Sequence, residues 1–243
     1  MALVELYHAT NGDQWTNRDN WLSGPLIFWY GIVVSSQGRV SEIDLSRNNL
    51  SGTLSTSLGE LTELQILSLH HNEVIAPVPV ELGQLTNLRQ LDLSHNKLTG
   101  EIPTIFERLS SLEMLQLHDN AFTGGFPVGL TQLTNLRMLR LFFNQLEGPI
   151  PHEIGALGRL EFLQLDHNEM NGDLPSELGQ LTDLVHLWVS SNGFTGSLPS
   201  SLQELTNLET FYFEETDLCI PTDSAFQAHL LRIEFVRSTN NAC

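Results

Sequence analysis

The sequence predicts an α/β solenoid: a stack of 24-residue coils that sets short strands side by side, with a cap at each end. Three columns of residues predict it. Asn48, Asn72, Asn96, Asn120, Asn144, Asn168 and Asn192 fall one period apart, and Thr216 takes the eighth place. Pro79, Pro103, Pro127, Pro151, Pro175 and Pro199 keep the same period. So do Gly52, Gly100, Gly124, Gly148, Gly172 and Gly196, with Ala76 at the one gap. A fixed period of this length marks a repeat architecture, in which one unit cannot bury its apolar face alone and stacked neighbours bury it together.

Residues 1–37 precede the repeats and read as an N-terminal cap. "ALVELYHA" is a short amphipathic helix followed by the turn "TNGD". Trp15, Trp21, Trp29 and Tyr30 then crowd into one stretch. Such a cluster can stack on sugars, but a solenoid must also cover its exposed first core, and plugging is the preferred reading.

Residues 38–217 hold eight units. One reads "TNLRQLDLSHNKLTGEIPTIFERL", with Leu88, Leu91, Leu93, Leu98, Ile102, Phe106 and Leu109 in its recurring apolar places. "LDL" alternates with period two and reads as a strand. The Gly and Pro columns mark turns. The Asn column is read as structural: an amide at the strand end can satisfy turn N–H and C=O groups that would otherwise be orphaned.

Residues 218–243 read as a C-terminal cap. "PTDSAFQAHLLRI" opens with the capping residues Thr222 and Asp223 and continues as a helix. Cys219 and Cys243, the chain's two cysteines, bracket it. The expectation is a disulfide that pins the helix over the last coil, contributing about 3 kcal/mol and implying an oxidising compartment.

The unit L-x-x-L-x-L-x-x-N-x-L-x-G-x-I-P-x-x-L-x-x-L resembles the plant-type leucine-rich repeat. The resemblance implies a right-handed superhelix with a concave parallel β-sheet and a second, shorter strand row at G-x-I-P. It extends to "NWLSGPLIFWYGIVVSSQGRVSEIDLS", which is similar to the family's N-terminal cap, where a W-x-G-V-x-C motif precedes the first repeat. Val34 stands where that cysteine would be, so the cap's usual disulfide is absent.

Alternation along each strand sends the residues before, between and after the two leucines to the open face. From that face we select Met114, His118, Met138, Arg140, Phe142, Phe143, Phe162, Asp166, His186, Trp188 and Tyr212 as ligand-binding candidates. Coils stack about 4.8 Å apart, so Met114, Met138 and Phe162 are expected to form one ladder. Exposed apolar patches mark contact sites, and aromatics, Met and Arg are enriched at interface cores. Six of the nine histidines lie on the same face: His70, His71, His95, His118, His167 and His186. No metal is assigned. His71 and His95, expected to stack in adjacent coils, are the candidates for Zn²⁺ or Cu²⁺, and hydrogen bonding to a partner is preferred for them.

Net charge is −18, which argues against nucleic acid and anionic membrane surfaces; it fits a basic partner and equally fits simple colloidal solubility. No apolar run approaches the length of a membrane span, and the first residues do not read as a signal peptide. No G-x-S-x-G, H-E-x-x-H or P-loop occurs, and Asp44, Asp92 and Asp166 are separated by whole coils. The expectation is therefore no enzyme, no catalytic residues and no cofactor. The sequon Asn49-Leu50-Ser51 lies beside the structural Asn48. The expected function is a secreted or extracellular, monomeric recognition module that binds a protein or peptide, rather than a glycan, on its concave face. The family implies receptor ectodomains and inhibitors of secreted cell-wall-degrading enzymes. The alternative is a structural or surface-associated protein, ice-binding included; against ice binding, no face carries a regular Thr ladder.

Overall fold

A computed structural model describes residues 2–239 and 241–243. The chain forms two compact units, Met1–Phe122 and Thr123–Cys243, built from coils of one pattern. In the first unit, strands Val40–Asp44, Ile66–Ser68, Gln90–Asp92 and Met114–Gln116 pair in parallel, with Ile43, Leu67, Leu91 and Leu115 in register. In the second, Met138–Arg140, Phe162–Gln164, His186–Trp188 and Thr210–Tyr212 pair in the same way around Leu139, Leu163, Leu187 and Phe211. These central residues are buried, as the period-two pattern requires.

A second strand row follows the turn in each coil; against expectation its strands are not the shorter ones, Lys97–Glu101 and Glu169–Asp173 having five residues where Gln90–Asp92 and Phe162–Gln164 have three. Glu73–Ala76 pairs with Lys97–Glu101 in the first unit. Gln145–Gly148, Glu169–Asp173, Gly193–Ser197 and Asp217–Cys219 pair in the second. The Gly column sits in this row with positive φ, for example +78° at Gly100 and +82° at Gly172. Ala76 takes the same conformation, φ +72°, without a glycine's freedom. The Pro column then opens a single 3₁₀ turn, as Pro103 does for Thr104–Arg108. Proline suits that place because its φ is already set and the N–H it lacks would have no partner inside the turn. Buried Leu85, Leu109, Leu157 and Leu181 close these turns.

The Asn column is structural, as its position suggests. Asn96 Nδ2 donates to the carbonyls of Leu69, Leu93 and Ser94, and its Oδ1 accepts from Val74 N. Asn168 repeats this with Leu141, Leu165, Asp166 and Leu146 N. Each amide thus closes its own strand end and ties it to the preceding coil. Thr216 is too short for both tasks; its hydroxyl bonds to Phe213 O, three residues back in its own coil.

The residue before each of these positions has a left-handed backbone. Arg47, His71, His95, Asp119, Phe143, His167, Ser191 and Glu215 all have φ between +49° and +55°. Such a conformation costs a side-chain-bearing residue about 1–2 kcal/mol. The amide and carbonyl bonds of the turn hold it in every coil.

At the N-terminal end the helix Ala2–Ala9 buries Leu3, Leu6 and Tyr7. Trp15, Trp21 and Trp29 are buried against one another, with centroids 4.7 and 4.8 Å apart. Their indole N–H groups donate to the carbonyls of Thr10, Tyr30 and Ser23. Satisfied and buried rings plug a core and are not presented to a sugar. Val34 belongs to the strand Ile32–Val34, which runs antiparallel to Val40–Asp44. Asn49 is exposed, and its amide donates to Gln14 O.

At the other end the helix spans Ser224–Leu230, capped by Asp223, whose carboxylate accepts from Phe226 N. Phe226 is buried, and the helix lies against the turn Ser200–Glu204. Cys219 and Cys243 are joined by a disulfide. It ties the strand Asp217–Cys219 to the C-terminal segment, where Ile220 N donates to Asn241 O and Cys243 N to Ile220 O. The expected disulfide is thus present, and it closes the segment that carries the helix by joining the tail to the last coil. Between helix and tail, Phe235–Arg237 adds a strand parallel to Thr210–Tyr212. Among the described residues no helix is long and apolar enough to cross a membrane.

Candidate functional site

In the second unit the outward positions of the first strand row carry a run of rings. Phe162 stacks on His186 with centroids 4.6 Å apart, as their strand register requires. Trp188 stacks on Tyr212 at 5.1 Å and 17°. Arg140 lies over Phe162 at 5.7 Å, and Arg237 lies over Tyr212 at 4.8 Å, so a guanidinium faces a ring in each half of the run. Just beyond the strands, Phe143 stacks on His167 at 4.1 Å and 5°. Both belong to the left-handed column, which aims them alike.

Thr210 fixes the middle of this surface. Its hydroxyl is 2.8 Å from both Trp188 Nε1 and His186 Nδ1. An indole N–H can only donate, so Oγ1 accepts from Trp188 and has its own hydrogen available for Nδ1. A neutral imidazole with its proton on Nε2 satisfies the arrangement. Burial pushes the His186 pKa down; Glu209 opposes this and Arg140 adds to it. Geometry and electrostatics therefore favour the same neutral ring.

Exposure grades the candidates. Phe143 is 48% exposed; Met138, Arg140, Phe142, Phe162, His186, Trp188 and Tyr212 are half-buried. Two selections need correction. His118 and Asp166 were expected on the open face and are buried, as is Gln164. At strand spacing the side chains of adjacent coils touch, so a short side chain beneath larger neighbours loses its access to water. Met114 lies in the first unit, in register with Gln90, with Gln116 Nε2 3.3 Å from its sulfur. Met138 is in register with Phe162, as expected. Thr210 and Arg237 were not among the selected residues. Thr210 is a small polar residue at the strand position where the other coils of the second unit carry Met, Phe or His. Arg237 lies one residue out of the 24-residue register, since Tyr212 pairs with it.

Four of the six open-face histidines, His70, His71, His95 and His118, lie in the first unit. His71 and His95 stack at 3.9 Å and 6°. Parallel rings set their nitrogens side by side, not toward one point. Burial pushes the His71 pKa down, helped by His95 and Arg47. Beside them is a shallow recess lined by Arg47, Asn49, His71, Glu73 and His95.

Coils of this pattern, tied by an amide ladder, define a solenoid repeat protein. Residues 38–98 and 86–146 match the leucine rich repeat family, as do residues 159–181 and 183–205. The chain belongs to the leucine-rich repeat family. It is similar to the leucine-rich-repeat ectodomain of the Arabidopsis thaliana membrane receptor kinase GASSHO1/SCHENGEN3, solved in complex with CASPARIAN STRIP INTEGRITY FACTOR 2. The two are 29% identical with a TM-score of 0.89, over 99% of this chain and 30% of that one. It is also similar to the plant peptide hormone receptor RGFR1, solved in complex with RGF2: 31% identity and a TM-score of 0.73, over 78% of this chain and 30% of that one. The chain thus spans under a third of either structure. A plant ice-binding protein shares the fold at 23% identity and a TM-score of 0.71, over 99% of this chain and 95% of that one. No curated protein matches the sequence.

Proposed function

We propose that the chain is an extracellular recognition module that binds a peptide or extended protein segment along the open row of its second unit. The observation that carries this reading is the Trp188–Tyr212 stack, held by Thr210 and flanked by Arg140 and Arg237. Its rings are half-exposed yet already fixed, which lowers the entropy lost on binding. Aromatic and Arg side chains in that state are the usual hot-spot residues. The fold does not require large rings there, since other coils place Ser, Asp or Gln at the same positions. The receptors to which the chain is similar were solved with their ligands, in keeping with a ligand here. A clamping disulfide suits an oxidising compartment. The net charge of −18 favours a basic ligand.

The test is capture of ligands from the extracellular fluid of the source organism, followed by hydrogen-exchange footprinting of the complex. Protection over 138–143, 162–167, 186–191 and 210–215 is the expected result. Protection confined to other segments moves the site. Ice binding is the second reading, raised by the similar fold of the plant ice-binding protein. Charged residues, among them Lys97, Glu101, Glu169 and Asp173, interrupt the exposed side of the second strand row and weigh against it.

A further inference from the structure

We propose that His95, His118 and Asp119 form a site for one transition-metal ion of the Zn²⁺ or Cu²⁺ class. One donor atom from each residue lies within 4.8 Å of the other two. His95 Nδ1 is 3.4 Å from Asp119 Oδ2, and the rings of His95 and His118 meet edge to face with centroids 5.0 Å apart. Edge-to-face imidazoles can aim nitrogens at a common point; the parallel His71 and His95 cannot.

The coil geometry places these donors together. His95 N donates to His118 O and Asn96 N to Asp119 O, so the backbones bearing them are held at ladder spacing. His95 and Asp119 both occupy the left-handed column, with φ of +51° and +53°, which sends their side chains the same way. His71 stacks on the His95 ring at 3.9 Å and 6°. Donors of a tetrahedral ion at 2.0–2.2 Å lie roughly 3.3–3.5 Å apart. His95 and Asp119 are half-buried, and small side-chain adjustments of the two would close the remaining gap while buried His118 stays in place.

The donor set selects the ion. Two imidazoles and one carboxylate suit Zn²⁺ and Cu²⁺ and are a poor match for Ca²⁺ or Mg²⁺, which take oxygen ligands. Three protein donors leave a fourth position for water or for a donor from a bound molecule. The two cysteines are joined in a disulfide and do not compete for the ion. Because all three donors lie in the first unit, the site stands or falls independently of ligand binding by the second.

The test is a Zn²⁺ titration of the intact, oxidised chain by calorimetry, with Ca²⁺ as the comparison ion. His95→Asn and Asp119→Asn are the variants, since asparagine tolerates the left-handed backbone at both places. One saturating equivalent of Zn²⁺, weakened at least tenfold by either substitution and not matched by Ca²⁺, is expected. Histidine ring resonances of the unaltered protein give a reading that needs no variant: those of His95 and His118 should shift with the first equivalent. Absence of saturable binding, equal binding of Ca²⁺, undiminished affinity in both folded variants, or first-equivalent shifts that leave His95 and His118 unmoved would overturn the proposal.

Discussion

Trp188 and Thr210, one coil apart, are joined by an indole N–H to hydroxyl hydrogen bond of 2.8 Å, and the same hydroxyl meets His186 Nδ1 at 2.8 Å. One buried oxygen thereby sets the orientation of two rings on the open row. That row is the part of the surface where half-exposed aromatic side chains are already ordered.

Replacing Thr210 with Val keeps its shape and removes the hydroxyl. Trp188 Nε1 and His186 Nδ1 then lose their partner, at a cost of about 1–2 kcal/mol in thermal or denaturant unfolding. The His186 pKa is lowered in the folded state, so the folded chain takes up the proton less readily than the unfolded chain. The resulting stability is present above the unfolded value of 6.5 and is lost as pH falls through it. Unfolding midpoints that drop between pH 7.5 and 5.5 in the wild type, and drop less in His186→Gln, are expected.

Ala76→Gly should stabilise the chain by roughly 0.5–1 kcal/mol. Ala76 alone in its column carries a Cβ at φ +72°. Relief of that strain outweighs the extra freedom glycine gives the unfolded chain. A decrease in the unfolding midpoint would refute the strain assigned there.

Asn120→Ala should destabilise by about 1–3 kcal/mol. The change strips donors from the carbonyls of Leu93, Leu117 and His118 and an acceptor from Leu98 N. Chemical denaturation measures it, and an unchanged midpoint would deny the amide its part in linking coils.

Much of this architecture was legible because its physics is periodic. The Asn, Gly and Pro columns each answer a backbone need that recurs in every coil, so their spacing gave the strands, turns and stacking register. The left-handed column was not legible. Arg, His, Asp, Phe, Ser and Glu occupy it, and its conformation is imposed by the neighbouring turn bonds. The burial of His118 and Asp166 was also hidden, because alternation says which way a side chain points and not what the next coil lays over it. The strand Phe235–Arg237 escaped notice because it pairs one residue out of register and lacks the Leu-x-Leu signature. In the site, the rings were readable as types; the hydroxyl that orders them was not.

The central claim is that the open row of the second unit is the recognition surface. It is tested most directly by the affinity of Phe142→Ser/Phe143→Ser for the captured ligand, measured beside the wild type. Ser190 and Ser191 occupy the equivalent places two coils on, so the coil accepts serine at both and the variant is expected to fold. Its affinity should fall by about 2 kcal/mol or more, roughly thirtyfold. A folded variant that binds as tightly as the wild type would contradict the account and place recognition elsewhere on the chain.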